Sequence, residues 1–218
     1  MNILPHNQLR TYLLDRLRSE YLSEKPFPHL TELIYCLTRS WFDRIDSLPP
    51  TEDELLRFSI GFGLERVLIS GLEPEKYIVD GIHLTPDFLP DYGSGGIHGE
   101  LKSTRMWPPK AGETARIPDT WLEQTMGYCK ATGTTEYDVA VVYLGAPKLE
   151  GFRLQFEPEE IAANWENILE RKGIYLGYVT SATMPTPFKF NKEWECKWCR
   201  YSLRCNVWAA ENRNEQAG

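Results

Sequence analysis

Three side chains near the middle of the sequence have the types and spacing of a divalent-cation site. Pro86-Asp87 is followed, twelve intervening residues later, by Glu100-Leu101-Lys102. In a strand, residues i and i+2 share a face, so Glu100 and Lys102 point together while Leu101 points into the core. Pairing of neighbouring strands would set Asp87 beside Glu100. Two carboxylates a few ångströms apart repel, and one stays protonated unless a cation lies between them. Mg2+ or Mn2+ suits such oxygen donors. A cation there would polarise a phosphate and lower the pKa of a bound water, which Lys102 would hold or deprotonate. Gln124 and Tyr128, four apart on an expected helix, can face the same cleft. Taken alone, that pair also reads as a core tyrosine beside an exposed glutamine.

A second constellation sits at the ends of the chain. Cys196, Cys199 and Cys205 form a C-x2-C-x5-C cluster, and Cys36 lies far upstream. Four thiolates suit either Zn2+ or an iron–sulfur cluster, and spacing does not separate the two. Ligands on both sides of the central region would couple metal binding to folding. Cys129 falls within the Gln124–Tyr128 helix and reads as a core residue. Trp194, Trp198, Tyr201 and Trp208 flank the cysteines and either pack around them or stack on unpaired bases.

The elements that must position these groups follow from the apolar pattern. The 218 residues suit one domain. The expected parts are a helical cap over 1–72, an α/β core over 73–184 and a cysteine-bearing tail over 185–218. Leu9, Tyr12, Leu13, Leu17 and Tyr21 recur at helical spacing, as do Leu30, Leu33, Ile34, Leu37, Trp41 and Ile45. Thr51-Glu52-Asp53-Glu54 reads as a capping box for a third helix that buries Leu55, Leu56, Ile60, Leu64 and Leu68 and ends at Gly71. Tyr77-Ile78-Val79 into Asp80-Gly81 signals a hairpin whose returning strand runs from Ile82 to Leu89. A turn over Asp91–Gly96 and a strand over Ile97–Ser103 follow. Pro118 opens a helix to about Ala131, Tyr137–Leu144 is a buried strand, and Phe152–Phe156 alternates as another. Pro158 opens the last helix, and the tail from Pro185 has little periodicity without a ligand to organise it.

The net charge of −7 argues against a nucleic-acid partner only as a sum. Lys102, Arg105, Lys110 and Arg116 cluster after the carboxylates, and Lys189, Lys192, Lys197, Arg200 and Arg204 crowd the C-terminal cysteines. No apolar run approaches the roughly 18–20 residues that span a bilayer. The N-terminus lacks the pattern of a secretory signal, so a cytoplasmic location is expected, where cysteines serve as ligands more often than as disulfides.

The series Asp87, Glu100-Leu101-Lys102, Gln124-x-x-x-Tyr128 resembles the PD-(D/E)XK nuclease superfamily, specifically its RecB-like branch. The resemblance implies a restriction-endonuclease-like α/β core, a central mixed sheet flanked by helices. It also implies that Asp87, Glu100 and the carbonyl of Leu101 bind Mg2+ or Mn2+, that Lys102 acts on the water, and that Gln124 and Tyr128 support the site and the DNA. RecB-like members carry a metal-binding His in a Gly-x-x-x-His setting; here Gly61-Phe62-Gly63-Leu64-Glu65 stands in that place. Glu65 either substitutes as an oxygen ligand or pairs with Arg66, and His98, on the Glu100 face, is a further candidate. One Cys before the core and three after it resemble RecB-like nucleases with a [4Fe–4S] cluster, held here by Cys36, Cys196, Cys199 and Cys205. Among these are small CRISPR-associated exonucleases, whose length this chain matches. The resemblance implies a DNA exonuclease that acts on single strands or ends with 5′→3′ polarity, in CRISPR spacer acquisition and antiviral defense, beside integrase proteins. The alternatives are a phage or mobile-element nuclease and a non-catalytic DNA-end-binding adaptor.

Overall fold

The computed structural model describes residues 7–21, 27–69, 75–87, 98–110, 112–113, 115–186 and 193–212. In chain order the elements are α1 (Asn7–Tyr21), α2 (Leu30–Ile34), α3 (Leu37–Ile45), α4 (Glu52–Leu68), β1 (Tyr77–Val79), β2 (Ile82–Leu84) and β3 (Gly99–Thr104). Then come α5 (Asp119–Thr132), β4 (Glu136–Tyr143), β5 (Lys148–Gln155), α6 (Pro158–Ser181), α7 (Glu193–Lys197) and α8 (Ser202–Glu211). They fall into two compact units, one from Met1–Lys25 and Pro49–Gly71, the other from Pro26–Leu48 and Leu72–Gly218. The helices expected as one cap over 1–72 thus divide between the units, and the segment carrying Cys36 belongs with the sheet.

In the first unit, α1 packs on α4. The capping box forms as the spacing requires: Glu54 N–H donates to Thr51 Oγ1 at 3.2 Å and Thr51 N–H to Glu54 Oε2 at 2.9 Å. Of the apolar residues expected inside, Leu55 is buried, but Leu56, Ile60 and Leu68 are exposed. The apolar side chains of α4 are spread around the helix, so no single face can cover them. The helix closes at Leu68; Gly71 lies outside the described residues.

In the second unit, β4 is the middle strand of a three-stranded mixed sheet, parallel to β3 and antiparallel to β5. The β1–β2 hairpin turns at Asp80 (φ 50°) and Gly81 (φ 68°), the left-handed pair of a type I′ turn. Trp165 Nε1 donates to Asp80 Oδ2 at 2.9 Å and ties that turn to α6. The returning strand ends at Leu84 rather than Leu89, ahead of Pro86, which has no N–H to continue a ladder. Leu89, the Asp91–Gly96 turn and Ile97 lie outside the described residues. The core gathers α2, α3, α5 and α6, with Ile161, Trp165, Ile168 and Tyr175 forming the buried stripe of α6. Gly127 lets α2 approach α5: a Cβ there would lie 2.9 Å from Leu30 Cδ2.

Two expectations are corrected here. The helix expected from Leu30 to Ile45 breaks at Tyr35-Cys36 into α2 and α3. Arg171 of α6 donates to the freed carbonyls of Ile34 (3.0 Å) and Tyr35 (2.6 Å), and Cys36 N–H donates to Glu195 Oε2 (3.1 Å). These distant partners satisfy the backbone that the break exposes. The tail is also more regular than its sequence suggests. Tyr201 stacks on Phe42 with ring centroids 4.8 Å apart, and its hydroxyl donates to Asp43 Oδ1 at 2.6 Å. Arg200 pairs with Asp43, and Arg204 pairs with Asp46 at 2.6 Å. Those two basic residues therefore bind the tail to α3 instead of standing free for phosphate. Lys189 and Lys192 lie outside the described residues. No helix among the described residues is long and apolar enough to cross a membrane.

Candidate active site

The register of the sheet sets the site. Glu100 lies opposite Val139 and Lys102 opposite Val141, both buried, while Leu101 lies opposite Ala140. Glu100 and Lys102 therefore share the face covered by α5, and Leu101 is buried on the other. Leu101 is buried as expected, and Glu100 is buried as well.

Asp87 reaches Glu100 by a different route from the one expected. Among the described residues no ladder joins β2 to β3. As the chain leaves β2, Asp87 Oδ2 accepts from Leu101 N–H at 2.7 Å, and Asp87 N–H donates to Glu100 Oε2 at 3.4 Å. The two acidic residues meet through backbone hydrogen bonds that fix Asp87 against β3.

Lys102 balances the charge. Its Nζ donates to Glu100 Oε1 at 2.6 Å and to Gln124 Oε1 at 2.8 Å. An ammonium only donates, so the Gln124 carbonyl must face it and the amide nitrogen turns the other way. That nitrogen donates to Glu100 Oε1 at 3.1 Å and to the Tyr128 hydroxyl at 2.7 Å. The Tyr128 hydroxyl then donates to the Thr85 carbonyl at 3.2 Å. Glu100, Gln124 and Tyr128 are 3%, 5% and 1% exposed. Tyr128 is thus a support for Gln124, too deep to touch a ligand.

Burial disfavours the Lys102 ammonium, but the charge and hydrogen bond of Glu100, with Tyr35 and Asp87 behind, outweigh it and hold its pKa above the ordinary value. The lysine is therefore a charged donor in this structure. Burial, then the Glu100 carboxylate, pushes the Tyr128 phenol well up, so it stays neutral.

The donor chemistry fits a hard cation: two carboxylates and the adjacent Leu101 carbonyl are oxygen ligands, and Mg2+ commonly takes one or two carboxylates beside water and phosphate. Among the described residues no group of three His, Cys, Asp or Glu side chains is arranged to hold one metal ion. Glu65 lies on α4, in the other unit, partly buried. His98 precedes β3; its Nδ1 is buried without a partner among the described residues, and burial lowers its pKa against the opposing charge of Glu75.

Tyr35 and Thr120 belong to this neighbourhood and escaped the sequence reading. The Tyr35 side chain hydrogen-bonds Thr120 and lies within the field of Lys102; burial raises its pKa and Lys102 opposes the rise. Its position inside an unbroken helical pattern hid it.

The cysteines come from separate elements. Cys36 sits at the α2–α3 break, Cys196 on α7, Cys199 between α7 and α8, and Cys205 on α8. None of the four is joined in a disulfide among the described residues. Burial pushes Cys205 up to about 11, and the charges of Cys199, Cys36 and Cys196 add to the rise. Four thiols have the donor chemistry of a thiolate-bound cluster, but among the described residues no three of them are arranged to hold one metal ion. Cys129 is buried in the core as expected, and burial lifts it to about 11. Tyr201 is buried against Phe42, Trp198 is exposed, and the side chain of Trp194 lies outside the described residues.

No family model and no curated protein matches the chain. Among solved structures, the crystal structure of SSO0001 aligns with a TM-score of 0.55 at 18% identity, over 92% of this chain and 97% of that one. The chain shares its mixed α/β fold. An alkaline exonuclease (LHK-Exo) from Laribacter hongkongensis aligns with a TM-score of 0.42 at 10% identity, over 77% of this chain and 95% of its own.

Proposed function

We propose that this chain is a metal-dependent deoxyribonuclease of the RecB-like PD-(D/E)XK kind. The observation that carries this reading is the single hydrogen-bonded network that joins Asp87, Glu100, Lys102 and Gln124. Asp87, Glu100 and the Leu101 carbonyl would hold Mg2+ or Mn2+. When bound, the cation supplies positive charge to the scissile phosphate and makes water a stronger nucleophile. Lys102 donates a hydrogen bond to the attacking water or a phosphate oxygen, Gln124 holds Lys102 in place, and Tyr128 holds Gln124. The water oxygen bonds to phosphorus as the bond to the leaving sugar oxygen breaks. The proton lost by water goes to solvent, and the leaving oxygen takes one up. Cys36, Cys196, Cys199 and Cys205 would hold a [4Fe–4S] cluster with a structural role. The resemblance gives this enzyme 5′→3′ polarity and a place in CRISPR spacer acquisition beside integrase proteins.

End-labelled DNA tests the reading. Wild-type protein with Mg2+ or Mn2+ should shorten it from the 5′ end, and Glu100→Gln should not. Equal cleavage by both proteins would reject the site. Protein purified without oxygen should be brown; colourless protein with stoichiometric zinc would replace the cluster by a zinc site.

A further inference from the structure

The segment that joins β3 to α5 links the strand bearing Glu100 and Lys102 to the helix bearing Gln124. At its start stands Trp107, 75% exposed, the most exposed aromatic side chain among the described residues. A single exposed ring is ordinary on a protein surface, but this one has its face open to stacking and basic residues beside it in the chain. The segment is held on both sides of it: Met106 N–H donates to Thr104 Oγ1 at 3.1 Å, and Lys110 and Glu113 bond each other through backbone and carboxylate at 2.9 and 3.0 Å. Pro108 and Pro109 stiffen the chain between. Arg105, Lys110 and Arg116 are exposed on the same segment, and none is ion-paired among the described residues. Trp107 stands five positions after Lys102, so its backbone lies within roughly 18 Å of that of Lys102.

We infer that Trp107 is the platform on which an unpaired DNA base stacks, while Arg105, Lys110 and Arg116 hold the neighbouring phosphates, so that a single strand is led to Glu100 and Lys102. This rests on the nuclease reading of the same site. An aromatic face with basic neighbours is the recurring chemistry of single-strand binding, and it tolerates any base because every base has a π-face. A closed duplex offers no base to the indole. Trp107 is then a positioning residue, remote from the bond that breaks.

The test is binding of wild type, Trp107→Ala and Trp107→Phe at one salt concentration, with chelator present to stop hydrolysis. The probes are a fluorescent oligothymidine and a duplex closed by hairpins at both ends. Trp107→Ala should bind the single strand about tenfold more weakly, Trp107→Phe should recover most of that loss, and the closed duplex should not distinguish the three proteins. Trp107→Ala binding the single strand as tightly as wild type, or losing both probes alike, overturns the inference. If wild type neither binds either probe nor cuts DNA with Mn2+, the nuclease reading falls and this inference with it. If wild type cuts DNA while Trp107→Ala binds it unchanged, this inference alone falls.

Discussion

Glu100 carries the densest chemistry in the molecule: Lys102 and Gln124 donate to one oxygen and the Asp87 backbone to the other. A buried carboxylate is tolerated because it is paired and hydrogen-bonded. Lys102→Ala removes the balancing charge and the donor, and should lower the cleavage rate about a hundredfold or more in a single-turnover assay. Tyr128→Phe leaves the Thr85 carbonyl and the Gln124 amide each short of a partner. It should cost about 1–3 kcal/mol in urea unfolding, with a smaller loss of activity than Lys102→Ala. A pH dependence follows from Cys129, raised from 9.0 to about 11 by burial. The fold favours the protonated thiol, so that stability is whole below pH 9 and lost as pH climbs towards about 11. The melting temperature should fall across this window, and Cys129→Ala should flatten the fall. The residue types of the site were legible because Glu-x-Lys and Gln-x-x-x-Tyr are local spacings. The arrival of Asp87 was not, because it depends on a backbone N–H fourteen residues away.

Among the elements, those fixed by neighbours in sequence could be read in advance: the Thr51 box, the Asp80-Gly81 turn, Pro158 at the head of α6, and the apolar run of β4. The α2–α3 break could not, since no Gly or Pro marks it and its carbonyls are satisfied by Arg171, 137 and 136 residues away. The burial that lowers the pKa of Arg171 is opposed by Glu123, Glu195 and Cys36, a charge setting that no local pattern encodes. Arg171→Met leaves two carbonyls without partners. It should destabilise the fold by about 3 kcal/mol in chemical denaturation and, with Cys36 a ligand of the proposed cluster, lower the iron content of the purified protein as well. Unchanged stability would mean that the break holds itself.

At the scale of the whole molecule, the second unit carries the acidic pair and the four cysteines, and the tail returns to α3 through Tyr201, Arg200 and Arg204. Cys36→Ser and Cys199→Ser, far apart in sequence, should lower iron content alike if one cluster is shared; loss in only one would divide the thiols into separate roles. The central claim is that Asp87 and Glu100 jointly grip one divalent cation, and Mn2+ titration by calorimetry into protein stripped of such ions tests it most directly. Wild type should bind Mn2+ at this site, and Asp87→Asn and Glu100→Gln should each abolish that binding. Both variants binding Mn2+ with wild-type affinity and stoichiometry would contradict the account.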